Sequence, residues 1–227
     1  MIDKRAGSVA EALDRIRDGA VVLLGGFGAV GQANELVEGL VEQGARDLTI
    51  VANNAGSSER GLPQLLAAGR VRRVICSFPR GGIGSSVFEE LFKAGKVELE
   101  IVPQGTLAER LRAAGAGIPA FYTPTGVGTV MAQGKELRDI NGRTHMLEYA
   151  LPGDIALIEA WQADRWGNLV YRGAARNFNP IMASAASRTI VQTNQLVELG
   201  ELDPEVIVTP GIFVDRVVRI DSHLGEK

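Results

Sequence analysis

AVVLLGGFGAVG, residues 20–31, is a short apolar run cut off by a glycine pair, with four glycines in the seven residues that follow it. Five apolar residues between turn formers have the length of a buried strand and are too few for a helix. Glu35–Gln43 has helical spacing and is closed by Gly44, and Leu48–Ala52 is a second apolar run. Strand, glycine loop, helix and strand in that order predict a crossover between parallel neighbours. Upstream, Ser8-Val-Ala-Glu11 is a capping box, with Val9, Leu13 and Ile16 as a helical stripe ending before Gly19. Downstream, Pro63 opens a short helix that ends at Gly69, Val74–Ser77 is a third strand, Val87–Ala94 a helix and Val97–Val102 a fourth strand. Thr106-Leu-Ala-Glu109 is a second capping box, opening a helix that runs to Gly115.

This alternation predicts an α/β fold: an open, mainly parallel sheet with helices on both faces, in a single domain over residues 1–227. Past Gly115 the pattern loosens. Strands are expected at Ile155–Ala160, Leu169–Tyr171, Thr189–Val191 and Val206–Val208, with a hairpin turn at Ala163–Asn168 and a helix over Pro180–Ser187. Composition agrees with a packed domain, because hydrophobic residues make up 45% and charged residues 22% of the chain. A net charge of −3 leaves no basic face for nucleic acid. The long uncharged stretch Ala113–Gly134 holds five glycines and two prolines, so no membrane helix is expected. One cysteine, Cys76, and an amino terminus without an apolar leader fit a reducing, cytoplasmic compartment.

Ligands of open parallel sheets bind beyond the carboxyl ends of the strands. Four segments fall there: GGFGAVG (25–31), NNAG (53–56), SFPRGG (77–82) and PQGT (103–106). Singly, each reads as turn chemistry. Together they form a neutral, donor-rich rim of Asn53, Asn54 and Gln104 with one cation, Arg80. Gly26-x-Gly28-x-x-Gly31 also matches a dinucleotide fingerprint, which requires an acid about 20 residues on to hold the ribose. Asn53 and Asn54 occupy that place and Asp47 precedes the strand, so a nicotinamide dehydrogenase ranks below other readings. His145 and His223 are too far apart for a metal set, and no metal is expected. Arg70, Arg72 and Arg73 read as a solvated face, with phosphate binding as the alternative. The rim offers no evident nucleophile; Glu59 in SSERG is the one loop carboxylate to consider.

GGFGAVG, VANNAG, VPQGTLAER and AGIPAFYTPTGVGT, extended by RWGNLVYR, AARNFNP and ELDPEVIVTPGIFV, resemble the A subunits of family I 3-oxoacid CoA-transferases over nearly the whole chain. CSFPR is most similar to the branch of that family acting on 3-oxoadipate. One position departs from the family pattern: Ala33 stands where a proline is common. The resemblance implies the open sheet shared with sugar-phosphate isomerases and transfer of CoA from succinyl-CoA to a 3-oxo acid. It also implies a glutamyl-CoA thioester formed on a glutamate of a B subunit, which accounts for the missing nucleophile. It assigns oxyanion stabilisation to Gln104, with Asn53 and Asn54 lining the same pocket; Gly25, Gly26, Phe27 and Gly28 are expected at the substrate because glycine lets the backbone approach closely. The glycine loop is expected to offer backbone N–H groups, and Arg80 to meet a second carboxylate. The CoA thioester is then a substrate, no resident cofactor is expected, and the assembly is expected to be A2B2. An acetoacetate-type transferase and a non-catalytic domain sensing a small acid are the other readings of this kinship.

Overall fold

A computed structural model of the chain describes residues 2–56, 60–80 and 86–220. The elements run β1 (Arg5–Ala6), α1 (Val9–Ala12), β2 (Val21–Leu24), α2 (Asn34–Gln43), β3 (Leu48–Asn54), α3 (Leu62–Ala67), β4 (Val71–Phe78), α4 (Val87–Lys93), β5 (Glu98–Ile101) and α5 (Gln104–Gly115). After them come β6 (Ala120–Thr123), β7 (Leu137–Ile140), β8 (Arg143–Tyr149), β9 (Ile155–Asp164), β10 (Leu169–Val170), α6 (Asn179–Ala185), β11 (Thr189–Val197) and β12 (Arg216–Arg219).

The main sheet has the order β1-β12-β11-β9-β2-β3-β4-β5. All its neighbours along this path are parallel, and β10 folds back antiparallel on β9. Strand alternation divides the core into two layers. Val22, Leu24, Ile50, Ala52, Val74 and Cys76 pack against the helices of the first half, with Leu36, Leu40, Leu65 and Phe88 opposite them. Leu23, Val51, Ile75, Ala156 and Ile158 face the other way, against Leu107 and Leu111 of α5 and Met182 of α6. Each fully buried leucine among these contributes roughly 1.5–3 kcal/mol. A separate antiparallel sheet, β6-β8-β7, fills the uncharged stretch and its continuation.

Four expectations are corrected. The first helix stops at Ala12, because Arg15 takes a left-handed φ of 62° and Arg188 binds the carbonyls of Ala12 and Asp14 that further turns would need. Val206–Val208 is not a strand. Asp203 caps a 3-10 turn over Pro204–Val206, and Pro204 has no N–H for a ladder. Thr106 caps nothing: α5 begins two residues earlier, at Gln104 after Pro103, and the Thr106 hydroxyl is buried within its first turn. Asn53 and Asn54 are not loop residues. They are the last two positions of β3, paired with β4 as far as Asn54 opposite Phe78.

Candidate active site

Placing the two asparagines on a strand decides their geometry, because successive strand side chains point to opposite faces. Asn53 follows Val51 toward α5, and it is 1% exposed. There Gln104, the first residue of α5, donates from Nε2 to Asn53 Oδ1 at 2.7 Å. Asn53 Nδ2 in turn donates to Asn54 Oδ1 at 2.7 Å, and the backbone N–H of Gly28 donates to the same oxygen at 3.0 Å. A helix start, a strand end and the glycine loop are thus joined in one relay of neutral amides, from Gln104 through Asn53 and Asn54 to Gly28. Each amide nitrogen carries two hydrogens, so Gln104 Nε2 keeps one donor beyond its bond to Asn53.

The glycine loop is held from the opposite direction. Phe27 and Val30 exchange both backbone bonds, at 3.0 and 3.1 Å, around a tight turn in which Gly28 has φ 61°. Gly26 N–H donates to Asn177 Oδ1 at 3.1 Å, and Gly25 N–H to the Leu157 carbonyl at 3.1 Å. The N–H groups of Gly25, Gly26, Phe27 and Gly28, expected to face a substrate, are therefore all bonded within the chain. Asn179, fully buried at the start of α6, donates to the carbonyls of Gly31 and Ala175 at 3.0 and 2.8 Å and accepts from Glu159 N–H at 3.1 Å. A Cβ on Gly25 would stand 1.8 Å from Asn179 Oδ1, which explains a glycine there. Sequence reasoning missed Asn177 and Asn179; the two asparagines of RNFNP just before a helix were the available signal.

Arg80 is not brought into the relay. Its side chain is 89% exposed, and its Nε lies 3.6 Å from Glu89 Oε1, its one ion pair among the described residues. The glycines at 81 and 82 that continue this segment, Glu59 and His223 lie outside the described residues. Arg70 donates to the Gly44 carbonyl, and Arg72 and Arg73 pair with Glu98 and Glu100, so each of these partly exposed arginines has a partner within the chain. Cys76 is buried, and burial pushes its thiol up to about 12, which removes it as a nucleophile. Among the described residues no group of three or more His, Cys, Asp or Glu could hold a metal, and no helix is long and apolar enough to cross a membrane.

A neutral amide relay at the carboxyl edge of a parallel sheet can orient a carbonyl or carboxylate and stabilise an oxyanion; it cannot attack one. The coenzyme A transferase family model matches residues 7–219. The chain belongs to the coenzyme A transferase family. It is 60% identical to the A subunit of the 3-oxoadipate CoA-transferase of Pseudomonas putida, over 98% of this chain and 96% of that one. The A subunit of a probable succinyl-CoA:3-ketoacid coenzyme A transferase of Bacillus subtilis is 49% identical, over 95% of this chain and 89% of the relative. Among solved structures, the acyl-CoA transferase apoenzyme of Escherichia coli O157:H7 matches with a TM-score of 0.82 and 25% identity, over 99% of this chain. The chain spans about half of that one, 48% of its length. The mainly parallel sheet with helices on both faces is therefore the fold of a CoA-transferase half.

Proposed function

We propose that this chain is the A subunit of a heteromeric CoA-transferase that moves CoA from succinyl-CoA to 3-oxoadipate. The observation carrying this reading is the amide relay from Gln104 to Gly28, set in a member of the transferase family. The choice of acid rests on the identity to one polypeptide of a 3-oxoadipate enzyme.

A carboxylate carried by the B subunit, the partner half, attacks the thioester carbonyl of succinyl-CoA, and a tetrahedral oxyanion forms. Its collapse expels CoA thiolate and leaves a succinyl–glutamyl anhydride. The thiolate then attacks the glutamyl carbonyl and releases succinate, and 3-oxoadipate runs the same steps in reverse. Every step passes through an oxyanion, and the spare Nε2 hydrogen of Gln104 is the donor offered to it. Asn53 fixes that hydrogen's direction by accepting the other one. In this reading CoA is a substrate, there is no resident cofactor, the enzyme works in the cytoplasm, and the assembly is A2B2. Phe27, Val30, Phe78 and Ile101 stand half exposed at the loops and strand ends of the cleft, an apolar rim suited to a partner half.

Arg80 is assigned to the second carboxylate of 3-oxoadipate, which needs a cation when it leaves water. Its long contact to Glu89 leaves the guanidinium fork open for this. The test is CoA exchange over a panel of 3-oxo acids after co-expression with a B subunit. Arg80→Met is expected to lower kcat/KM for 3-oxoadipate by roughly 2–3 kcal/mol, with a much smaller loss on acetoacetate. Faster exchange with acetoacetate than with 3-oxoadipate would replace this reading with the acetoacetate-type transferase. Equal losses on both acids would make Arg80 a structural residue.

A further inference from the structure

Glu159, near the middle of β9, has no part in the chemistry above, yet it is poorly exposed and carries an acid. Its register partner on β11 is Gln192, which is 1% exposed. Gln192 Nε2 donates to Glu35 Oε2 at 2.6 Å and to Glu159 Oε2 at 3.2 Å, so one amide nitrogen serves two carboxyl groups. Gln192 Oε1 accepts from the backbone N–H of Leu36 at 3.1 Å. The first turn of α2 is thereby tied to the sheet through a single side chain. That turn directly follows Gln32 and Ala33, and Gln32 and Asn34 bound the narrow cavity shared by Asn53 and Asn54. Glu159 reaches the glycine loop by a second route, through its own N–H on Asn179.

We propose that Glu159 is a positioning residue: with Glu35 and Gln192 it forms a carboxyl pair that must hold a proton to keep the first turn of α2 seated against the cleft. The charged surroundings fit this. From α2 come Glu35 and Glu38, and from the residues before α3 comes Arg60, which binds both of them, Glu38 with two bonds of 2.8 Å and Glu35 at 3.2 Å. Arg172, after β10, lies over the Trp161 ring, two residues along β9. Glu35 thus has a cation of its own, whereas Glu159 has the shared amide. Burial pushes Glu159 up, the Gln192 hydrogen bond opposes this, and the Glu35 charge adds to it, with the outcome at about 7. A carboxyl raised in the folded chain contributes stability that is complete below its ordinary value and lost as pH rises through about 7.

The kinetic arm rests on the transferase reading; the unfolding arm does not, so the two can fail separately. In the assembled complex, kcat/KM for CoA exchange is expected to fall roughly threefold to tenfold between about pH 6.5 and 8.5. Glu159→Gln, which keeps the shape and removes the charge, is expected to abolish this fall. The unfolding temperature of the variant minus that of wild type should grow across the same range. Glu35→Gln should move the midpoint of both effects to lower pH. A variant–wild-type difference equal at both ends of the range would overturn the proton-bearing pair. An unchanged alkaline fall in Glu159→Gln would overturn its role in positioning the cleft.

Discussion

The oxyanion role proposed for Gln104 rests on where its neighbours leave its hydrogens. Asn53 is almost wholly buried and takes one of them at 2.7 Å, so the side chain cannot swing without stranding a buried amide oxygen. The other hydrogen is then held ready before any charge develops, which is what makes such a donor effective. Gln104→Ala is expected to lower kcat of the complex by about 100–1,000-fold while assembly persists. Asn53→Ala, leaving Gln104 present but unheld, should cost less in kcat and more in unfolding temperature. A fall of less than about tenfold for Gln104→Ala would reduce Gln104 to a turn residue opening α5. The order of these amides was legible in the sequence, since both asparagines and the glutamine fall at strand ends. Their pairing was not. It depends on Asn53 and Asn54 belonging to β3, so that one turns to α5 and the other to the glycine loop.

At the scale of elements, the glycine loop is a junction of three segments and not a free phosphate cradle. Asn179 on α6 bonds the loop at the Gly31 carbonyl and the sheet at Glu159 N–H, and Gly25 makes room for it. Asn179→Ala leaves buried carbonyl and N–H groups unpaired and should cost about 2–3 kcal/mol, or roughly 5–10 °C in unfolding temperature. Gly25→Ala should be at least as damaging, since its methyl has no space beside Asn179 Oδ1. The two changes are coupled through that oxygen. Combined, they should cost clearly less than the sum of the separate losses, and strict additivity would show that the close approach is relieved elsewhere. The strands and helices of the first half were readable because each apolar run is bounded by glycine or a cap. β12 escaped notice because its two buried valines sit between exposed arginines, a pattern too short to carry a period. The small antiparallel sheet escaped for a related reason: β7 and β8 expose much of their length, so the period-2 signal has little apolar contrast.

For the molecule as a whole, the parallel order of the main sheet gathers β2, β3, β4 and β5 side by side, so the loops after them open at one edge. That edge presents amides, glycines and one exposed arginine, with an apolar rim around them. The amides and glycines described there can bind or orient an acyl group and cannot form a covalent bond to it. Cys76 lies on β4 near this edge, but its thiol is sealed in the core and held protonated. Glu159 is raised by burial and faces α2 through Gln192, away from the spare hydrogen of Gln104. In the proposed reading, the nucleophile is carried on another polypeptide. The purified chain alone is expected to show no CoA exchange above background with succinyl-CoA and any 3-oxo acid, and mixing with a B subunit should restore it. Borohydride trapping or mass measurement of the CoA adduct should leave this chain's mass unchanged and place the thioester on the B subunit. Exchange by the isolated chain at a rate like that of the complex would sink this division of labour. Glu59→Gln would then be the first variant to make, because that carboxylate is the acid in the segments 25–31, 53–61, 77–82 and 103–106 that follow β2, β3, β4 and β5.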